Sequence, residues 1–277
     1  MTTPVNAVVS PSETPRVALT VAGTDSGGNA GVAADLKSFA AHGTHGVFAV
    51  TLVTAQNTTG IVVAEPTKAE LIGAQVDAIT SDFTIGATKT GLLFTVEAID
   101  EVARRRDLLG PLVVDPVLVS SAGQAIVGPA VIDAYIDHLF ATTTVITPNV
   151  AEAALLTGRH IETREDALDA GAALLGLGPD AVVITGLHDR GQAVDVLATA
   201  DEVVALDHEL IDTTNVLGTG CSLSASIAAR LAHGDSIPDA VAAARGYVLD
   251  GLRSSARWRL GAGHGPIDHF ARWPGLR

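Results

Sequence analysis

The chain has 277 residues, 47% of them hydrophobic, with 28 glycines. That is material for one large α/β core rather than two independent ones. Its 31 acidic and 17 basic residues give a formal charge of −14, and the only lysines are Lys37, Lys68 and Lys89, so no basic stripe exists to wrap a nucleic acid backbone and no nucleic acid partner is expected.

Residues 1–15 lack the basic start and long apolar stretch of a signal peptide and are expected to form a disordered tail, with 16–277 as a single domain. Cys221 is the only cysteine, which rules out an intrachain disulfide and favours a cytoplasmic site. No apolar run approaches the ~20 residues of a membrane-spanning helix, so no membrane partner is expected.

From Arg16 onward, β-branched runs alternate with alanine- and leucine-rich stretches. Strands are predicted at 17–22, 47–53, 84–89, 112–115, 144–147, 181–185, 194–198 and 203–207. Helices are predicted at 31–41, 68–81, 96–106, 129–139, 149–156, 164–175, 220–232 and 237–258. The alternation favours a mostly parallel sheet covered on both faces, and the continuous apolar runs LVVD and AVVIT suit central strands. Pro129 is placed to open a helix, and Thr163 with Asp166 forms a capping pattern. The adjacent strands at 194–207 break the rhythm and predict an antiparallel pair at one sheet edge.

Ligands of open α/β sheets sit beyond the carboxyl ends of strands, and four segments fall there. The first, Ala22-Gly23-Thr24-Asp25-Ser26-Gly27-Gly28-Asn29-Ala30-Gly31, follows the first strand and opens a helix. It reads either as an ordinary glycine-rich turn or as backbone shaped to approach a ligand. It lacks the Gly-Lys-Ser/Thr ending of a Walker A loop.

The second, Asn215-Val216-Leu217-Gly218-Thr219-Gly220-Cys221-Ser222, opens the helix that follows. A Gly-x-Gly turn there offers free amides and the positive end of the dipole to an anion. Cys221 in the first turn is expected to have a depressed pKa, the alternative being a small core hydrophobe. The third segment ends a strand in Asp115. In the fourth, Asn149 and Glu152 either make a capping box or serve a ligand. Magnesium is often held by one or two carboxylates plus phosphates, a role open to Asp115 and Glu152.

In these segments the chain resembles the ribokinase-like superfamily, and within it the hydroxymethylpyrimidine/phosphomethylpyrimidine kinases of thiamine biosynthesis. AGTDSGGNAGVAADLKSF and GTGCSLSASIA carry most of the likeness, and TAQNTTG, TKTGLL, VVDPV, TPNVAEA and GHGP follow the family's order from about residue 17 to 270. The resemblance implies a three-layer α/β/α sandwich binding ATP and Mg2+, a small-molecule pyrimidine substrate, and a homodimer. It places Gly23, Ala30, Asp35, Gln56, Leu92 and Val117 around the substrate. Gly218, Thr219, Gly220 and Cys221 would be catalytic, with Cys221 where many relatives have an aspartate base. Asn149, Glu152, Thr185, Gly186 and Thr219 would meet the nucleotide, and Asp115 and Glu152 the metal.

Three departures stand out. Thr185 replaces a lysine that would neutralise nucleotide phosphates, Leu92 replaces a methionine, and Val216-Leu217 replace threonine and histidine. The rival readings are a pyridoxal or pyridoxine kinase and a non-catalytic ligand-binding protein on the same fold. Lys89 either pairs with a structural carboxylate or serves the phosphates, and the segment 47–60 is the expected flap. His264 and His269 do not have zinc-site spacing, and no Gly-x-Ser-x-Gly or His-Glu-x-x-His hydrolase motif is present.

Overall fold

The computed structural model describes residues 14–119 and 125–273. The tail expected over 1–15 lies outside the described residues apart from Thr14 and Pro15.

The strands in chain order are β1 (Val17–Ala22), β2 (His45–Val50), β3 (Leu52–Asn57), β4 (Gly60–Pro66), β5 (Ala87–Thr90), β6 (Leu112–Val114), β7 (Val145–Ile146), β8 (Ala181–Asp189), β9 (Gln192–Thr199) and β10 (Val203–Glu209). Eight of them form one sheet in the order β10-β9-β8-β7-β6-β5-β1-β2. Pairing is parallel from β2 through to β8, and β8–β9 and β9–β10 are antiparallel. The expected antiparallel pair at 194–207 is therefore present. It is reached through a two-residue turn, Arg190–Gly191, in which both residues have positive φ, the geometry that follows strand twist.

The helices are α1 (Gly31–Ala41), α2 (Ala69–Thr80), α3 (Val96–Arg104), α4 (Pro129–Ala134), α5 (Val150–Thr157), α6 (Arg164–Leu175), α7 (Thr219–Ala232) and α8 (Ile237–Ser255). Because strand side chains alternate between faces, adjacent residues feed different cores. Leu112 and Val114 join Ile72, Ile99, Val131, Ala153 and Leu174 from α2 to α6. Val113 faces Phe39, Ile227 and Ala244 from α1, α7 and α8. The result is the expected three-layer α/β/α sandwich.

Several bounds shift, as where β8 runs on to Asp189 instead of ending at 185 and α8 ends at Ser255 instead of 258, and two larger differences have clear physical reasons. The run predicted as one strand over 47–53 is cut at Thr51, whose N–H donates to Ala22 O (3.0 Å) and whose hydroxyl donates to Leu92 O (2.6 Å). Beyond that pin the chain leaves the main sheet as β3 and pairs antiparallel with β4, a strand not predicted. All of β4 is exposed, so the burial alternation that marks a strand is missing and only the β-branched run Ile61-Val62-Val63 signals it. The helix predicted over 129–139 widens after Ala134 into a π turn, Tyr135–Leu139. This buries Tyr135, Leu139 and Phe140 completely.

Candidate active site

The carboxyl ends of β1, β5, β6 and β7 lead into Gly23, Thr90, Asp115 and Thr147, and Thr185 lies beside them at the register shift within β8, so that a row of polar groups stands above an apolar sheet. Thr90 and Thr147 are buried and their hydroxyls have no partner. Sheet amides satisfy the backbone up to this row, and beyond it the chain must turn, which is where unpaired polar groups concentrate.

The first glycine loop is folded by a residue whose role sequence reasoning missed. The Asp25 carboxylate accepts N–H bonds from Gly27 (2.8 Å), Asn29 (2.9 Å) and Ala30 (2.9 Å), and the Gly28 N–H donates to Asp25 O (2.9 Å), so one residue satisfies four turn donors. The signal was available: aspartate bonding its own backbone two residues on is a standard turn former. Lys37 donates to Gly28 O at 2.6 Å from the other side. Gly23 O accepts Val32 N–H (3.0 Å). Gly31 has φ +55, and a Cβ there would fall 2.2 Å from Gly23 O.

The flap β3–β4 is laced to this loop. Ser26 Oγ donates to Gln56 O and accepts from Gln56 N–H, both at 2.7 Å. Thr54 N–H donates to Thr24 Oγ, and Thr54 Oγ donates to Thr24 O. Gln56, half-buried at a β-bulge, is thereby held against Ser26 of the loop, in which Ala30 is also half-buried, at the N-cap of α1. Leu92 and Val117 are likewise half-buried, at the ends of β5 and β6.

The turn opening α7 closes on the same loop. Gly218 has φ +77, and a Cβ on it would lie 1.9 Å from Asn29 O; only glycine fits this contact. Thr219 Oγ donates to Val216 O (3.0 Å), locking the turn. At Gly220 a Cβ would meet nothing within 4 Å, so the space over the first helical amides is open. Those amides have no intrahelical acceptor; the Thr219 N–H instead donates to Val216 O at 3.3 Å.

Cys221 lies at this junction, half-buried. The expectation of a depressed pKa is corrected by its surroundings. Burial pushes the thiol up to about 12; Lys89 pulls it down, Asp115 and Asp35 push it up, and a Gly31 N–H bond pulls it down. Its position in the first turn is outweighed by loss of water and two nearby carboxylates. At neutral pH Cys221 is therefore a thiol.

Beneath the loop, Lys89 Nζ meets both Asp35 oxygens at 2.9 and 3.0 Å, and Thr20 Oγ donates to Asp35 at 2.6 Å. All three residues are fully buried. This resolves the two readings of Lys89 in favour of the carboxylate. The Asp35 carboxylate, expected on the substrate side, is engaged by Lys89 and Thr20 in this structure. Burial works against the charge on Lys89, but Asp35 outweighs it, with Asp115 adding, so the ammonium is held charged.

Asp115 and Glu152 are both buried. Asp115 accepts a bond from Ser224 Oγ of α7 (3.2 Å). Glu152 and Asn149 form the expected capping box, and Glu152 also accepts the Leu118 N–H (3.1 Å). Burial raises both carboxylates above their ordinary range, and their mutual repulsion raises Glu152 further. Two buried acids that resist ionising together suit a divalent cation. Among the described residues no three or more metal-ligating side chains converge, so any ion here must take its remaining ligands from a bound phosphate and water, as magnesium does.

Asn149 and Thr185 form a β-bridge, and Thr185 N–H donates to Pro148 O (3.1 Å). Gly186 follows, exposed, with φ +84. Thr185 and Gly186, at the register shift within β8, thus lie beside Asn149 and Glu152 beyond the end of β7. A separate cleft of about 910 Å3, lined by Arg16, Phe83 and His233 among others, lies at the opposite edge of the sheet and contains none of these residues.

A polar row at the carboxyl edge, two opposed glycine turns and a cation-fitting acid pair on this sandwich define a ribokinase-like small-molecule kinase. The profile of the phosphomethylpyrimidine kinase family matches residues 25–268, and the chain belongs to that family. The hydroxymethylpyrimidine/phosphomethylpyrimidine kinase of Rhizobium meliloti is 43% identical over 93% of this chain and 98% of its own. That of Streptomyces coelicolor is 41% identical over 94% and 96%. Among solved structures, an ADP complex of Bacillus subtilis pyridoxal kinase superposes with TM-score 0.86 at 35% identity, covering 93% of this chain and 98% of that one. The phosphomethylpyrimidine kinase of Clostridium difficile gives 0.76 at 34% identity, covering 86% and 99%.

Proposed function

We propose that residues 16–277 form one catalytic unit, acting in the cytoplasm, that transfers the γ-phosphate of ATP to the hydroxymethyl oxygen of 4-amino-5-hydroxymethyl-2-methylpyrimidine and then to its monophosphate. The observation that carries this reading is the contact of Gly218 with Asn29 O. It sets an amide-rich helix opening directly against the loop that would hold the pyrimidine.

The substrate side is Gly23, Ala30, Gln56, Leu92 and Val117, with the Gln56 amide offering both a donor and an acceptor to an aminopyrimidine edge. Asp35 acts from beneath, holding Lys89 and the start of α1 in place. Gly218, Thr219 and Gly220 present amides to the charge that develops on the migrating phosphoryl group. Asn149, Thr185 and Gly186 take the nucleotide side, where amides and a cation stand in for the lysine that Thr185 replaces. Asp115 and Glu152 would hold Mg2+, which when bound offsets the negative charge of the phosphates.

Cys221, being a thiol at neutral pH, orients the alcohol rather than stripping its proton. The new P–O bond forms as the bond to the ADP leaving oxygen breaks. In a loose transition state the alcohol's proton can leave late, onto an oxygen of the transferred group.

A second reading, pyridoxal kinase, is favoured by the structural likeness to the Bacillus subtilis enzyme. Side-by-side turnover of the pyrimidine and pyridoxine decides between them. The proposal expects higher kcat/KM for the pyrimidine, and a clear preference for the pyridine would replace it.

The homodimer is proposed on the flap. Val53, Ile61, Val62 and Val63 are 50–76% exposed, and an isolated two-stranded sheet is marginal in water. Light scattering should give twice the chain mass, reduced toward the monomer by Val62→Glu; a monomeric wild-type chain would refute the dimer.

A further inference from the structure

The segment Gly261-Ala262-Gly263-His264-Gly265 follows α8 and lies outside every element of the sandwich, yet its backbone touches two parts of the site at once. At one end it meets the flap tip, the turn joining β3 to β4. Gly263 N–H donates to Thr58 Oγ (3.1 Å), and a Cβ on Gly263 would fall 2.0 Å from Thr58 O. A Cβ on Gly261 would fall 2.3 Å from Thr58 Oγ. At the other end it meets the turn that opens α7. Leu217 N–H donates to Gly265 O (3.0 Å), Leu217 bridges Pro266, and a Cβ on Gly265 would fall 2.1 Å from Asn215 Oδ1.

Each of the three alternate glycines is pressed against a neighbour, and at Gly263 that neighbour is backbone, which leaves no room for a side chain. Asn215 is itself anchored, with its Nδ2 donating to Ser255 O (2.7 Å) and Trp258 O (3.2 Å). The strap therefore hangs from the end of α8 and cannot slide at that point. Two further contacts close a ring. The flap is bonded to the first glycine loop through Ser26 and Thr24, and Asn29 O of that loop abuts Gly218. Glycine loop, flap, strap and helix-opening turn each touch the next, all around the mouth of the site. A packed ring of this kind transmits displacement, because its members have no slack in which to absorb it.

We propose that 261–265 is a coupling strap: ordering of the Gly218–Cys221 turn by a bound phosphate group is passed through Gly265 and Gly263 to Thr58, closing the flap that carries Gln56. Thr58 and Gly263 are then positioning residues, acting on the pyrimidine through the flap, and the inference rests on the nucleotide reading given above. Coupling of this type is reciprocal, so a ligand under the flap tightens the turn by the same factor.

Hydrogen exchange on the full chain tests this, using Mg2+ with β,γ-methylene-ATP and no pyrimidine. In the wild type, nucleotide should slow exchange at 215–221 and also at 54–59, the latter about fivefold or more, within the range of typical couplings. In Gly263→Ala the slowing should stay at 215–221. Thr58→Val, which removes the hydroxyl but keeps the shape, should behave alike if Gly263→Ala does not fold, and Thr58→Ser should restore the spread. Slowing confined to 215–221 in the wild type, or spreading to 54–59 in the variants as well, overturns the strap while leaving the nucleotide reading intact. No slowing at 215–221 in any protein overturns the nucleotide reading and the strap with it.

Discussion

At one end of the site the turn Gly218–Cys221 offers backbone amides whose placement follows from Gly218 meeting Asn29 O. At the other, Lys89, Asp35, Asp115 and Glu152 form a buried group of charges that hold one another in place. The first is a matter of shape, set by where a Cβ cannot go. The second is a matter of balance: one cation lies among three carboxylates, and the excess acid is what a bound divalent ion would offset. A backbone-made site should be insensitive to pH and intolerant of added volume. A charge-made site should tolerate volume better and respond to every change of charge.

The largest expected effect falls on the charged end. Lys89→Met leaves Asp35 buried without its partner, which should cost about 3–5 kcal/mol of stability by denaturant melts. The double variant Lys89→Met/Asp35→Leu should recover most of that, since a buried pair replaced by apolar groups is often near neutral. Equal loss in both variants would contradict the balance argument.

At the shape-made end, Gly218→Ala must push Asn29 away and adopt a positive φ. The displaced amides should lower kcat by on the order of 10²–10³-fold, measured by steady-state kinetics, and the loss should persist across pH. Cys221→Ala should lower kcat less, by up to about 10²-fold through misplacement of the alcohol, while pyrimidine binding measured by calorimetry is retained. A rate that rises with a pKa near 7 and vanishes in Cys221→Ala would restore a thiolate base.

The smallest effect concerns the metal. Asp115 and Glu152 keep protons above the usual carboxylate range because they are buried and repel one another, and bound protons compete with a cation. Affinity for Mg2+ should therefore rise with pH as these groups ionise, by at most about tenfold per pH unit for each proton displaced. In the same range the amide turn should show no pH dependence of its own.

The two ends differed equally in how far the sequence disclosed them. Glycine spacing and a strand-to-helix switch are local, so β1, α1 and α6 have the bounds predicted from the chain, and the turn at Gly218 was placed correctly. The Asn149–Glu152 capping box was legible for the same reason. Charge balance is not local. Lys89 and Asp35 are 54 positions apart, and nothing along the chain says that burial and two carboxylates would outweigh a helix terminus at Cys221. The flap's second strand escaped because β4 has no buried face, and the strap because glycines on a loop read as slack until their neighbours are known.

A crystal of the protein with the hydroxymethylpyrimidine, Mg2+ and β,γ-methylene-ATP tests the central claim most directly. The γ-phosphate should lie on the amides of Gly218, Thr219 and Gly220, with the hydroxymethyl oxygen beside Cys221 and in line with it. An alcohol bound away from this turn, or a turn filled by packed side chains, would contradict it.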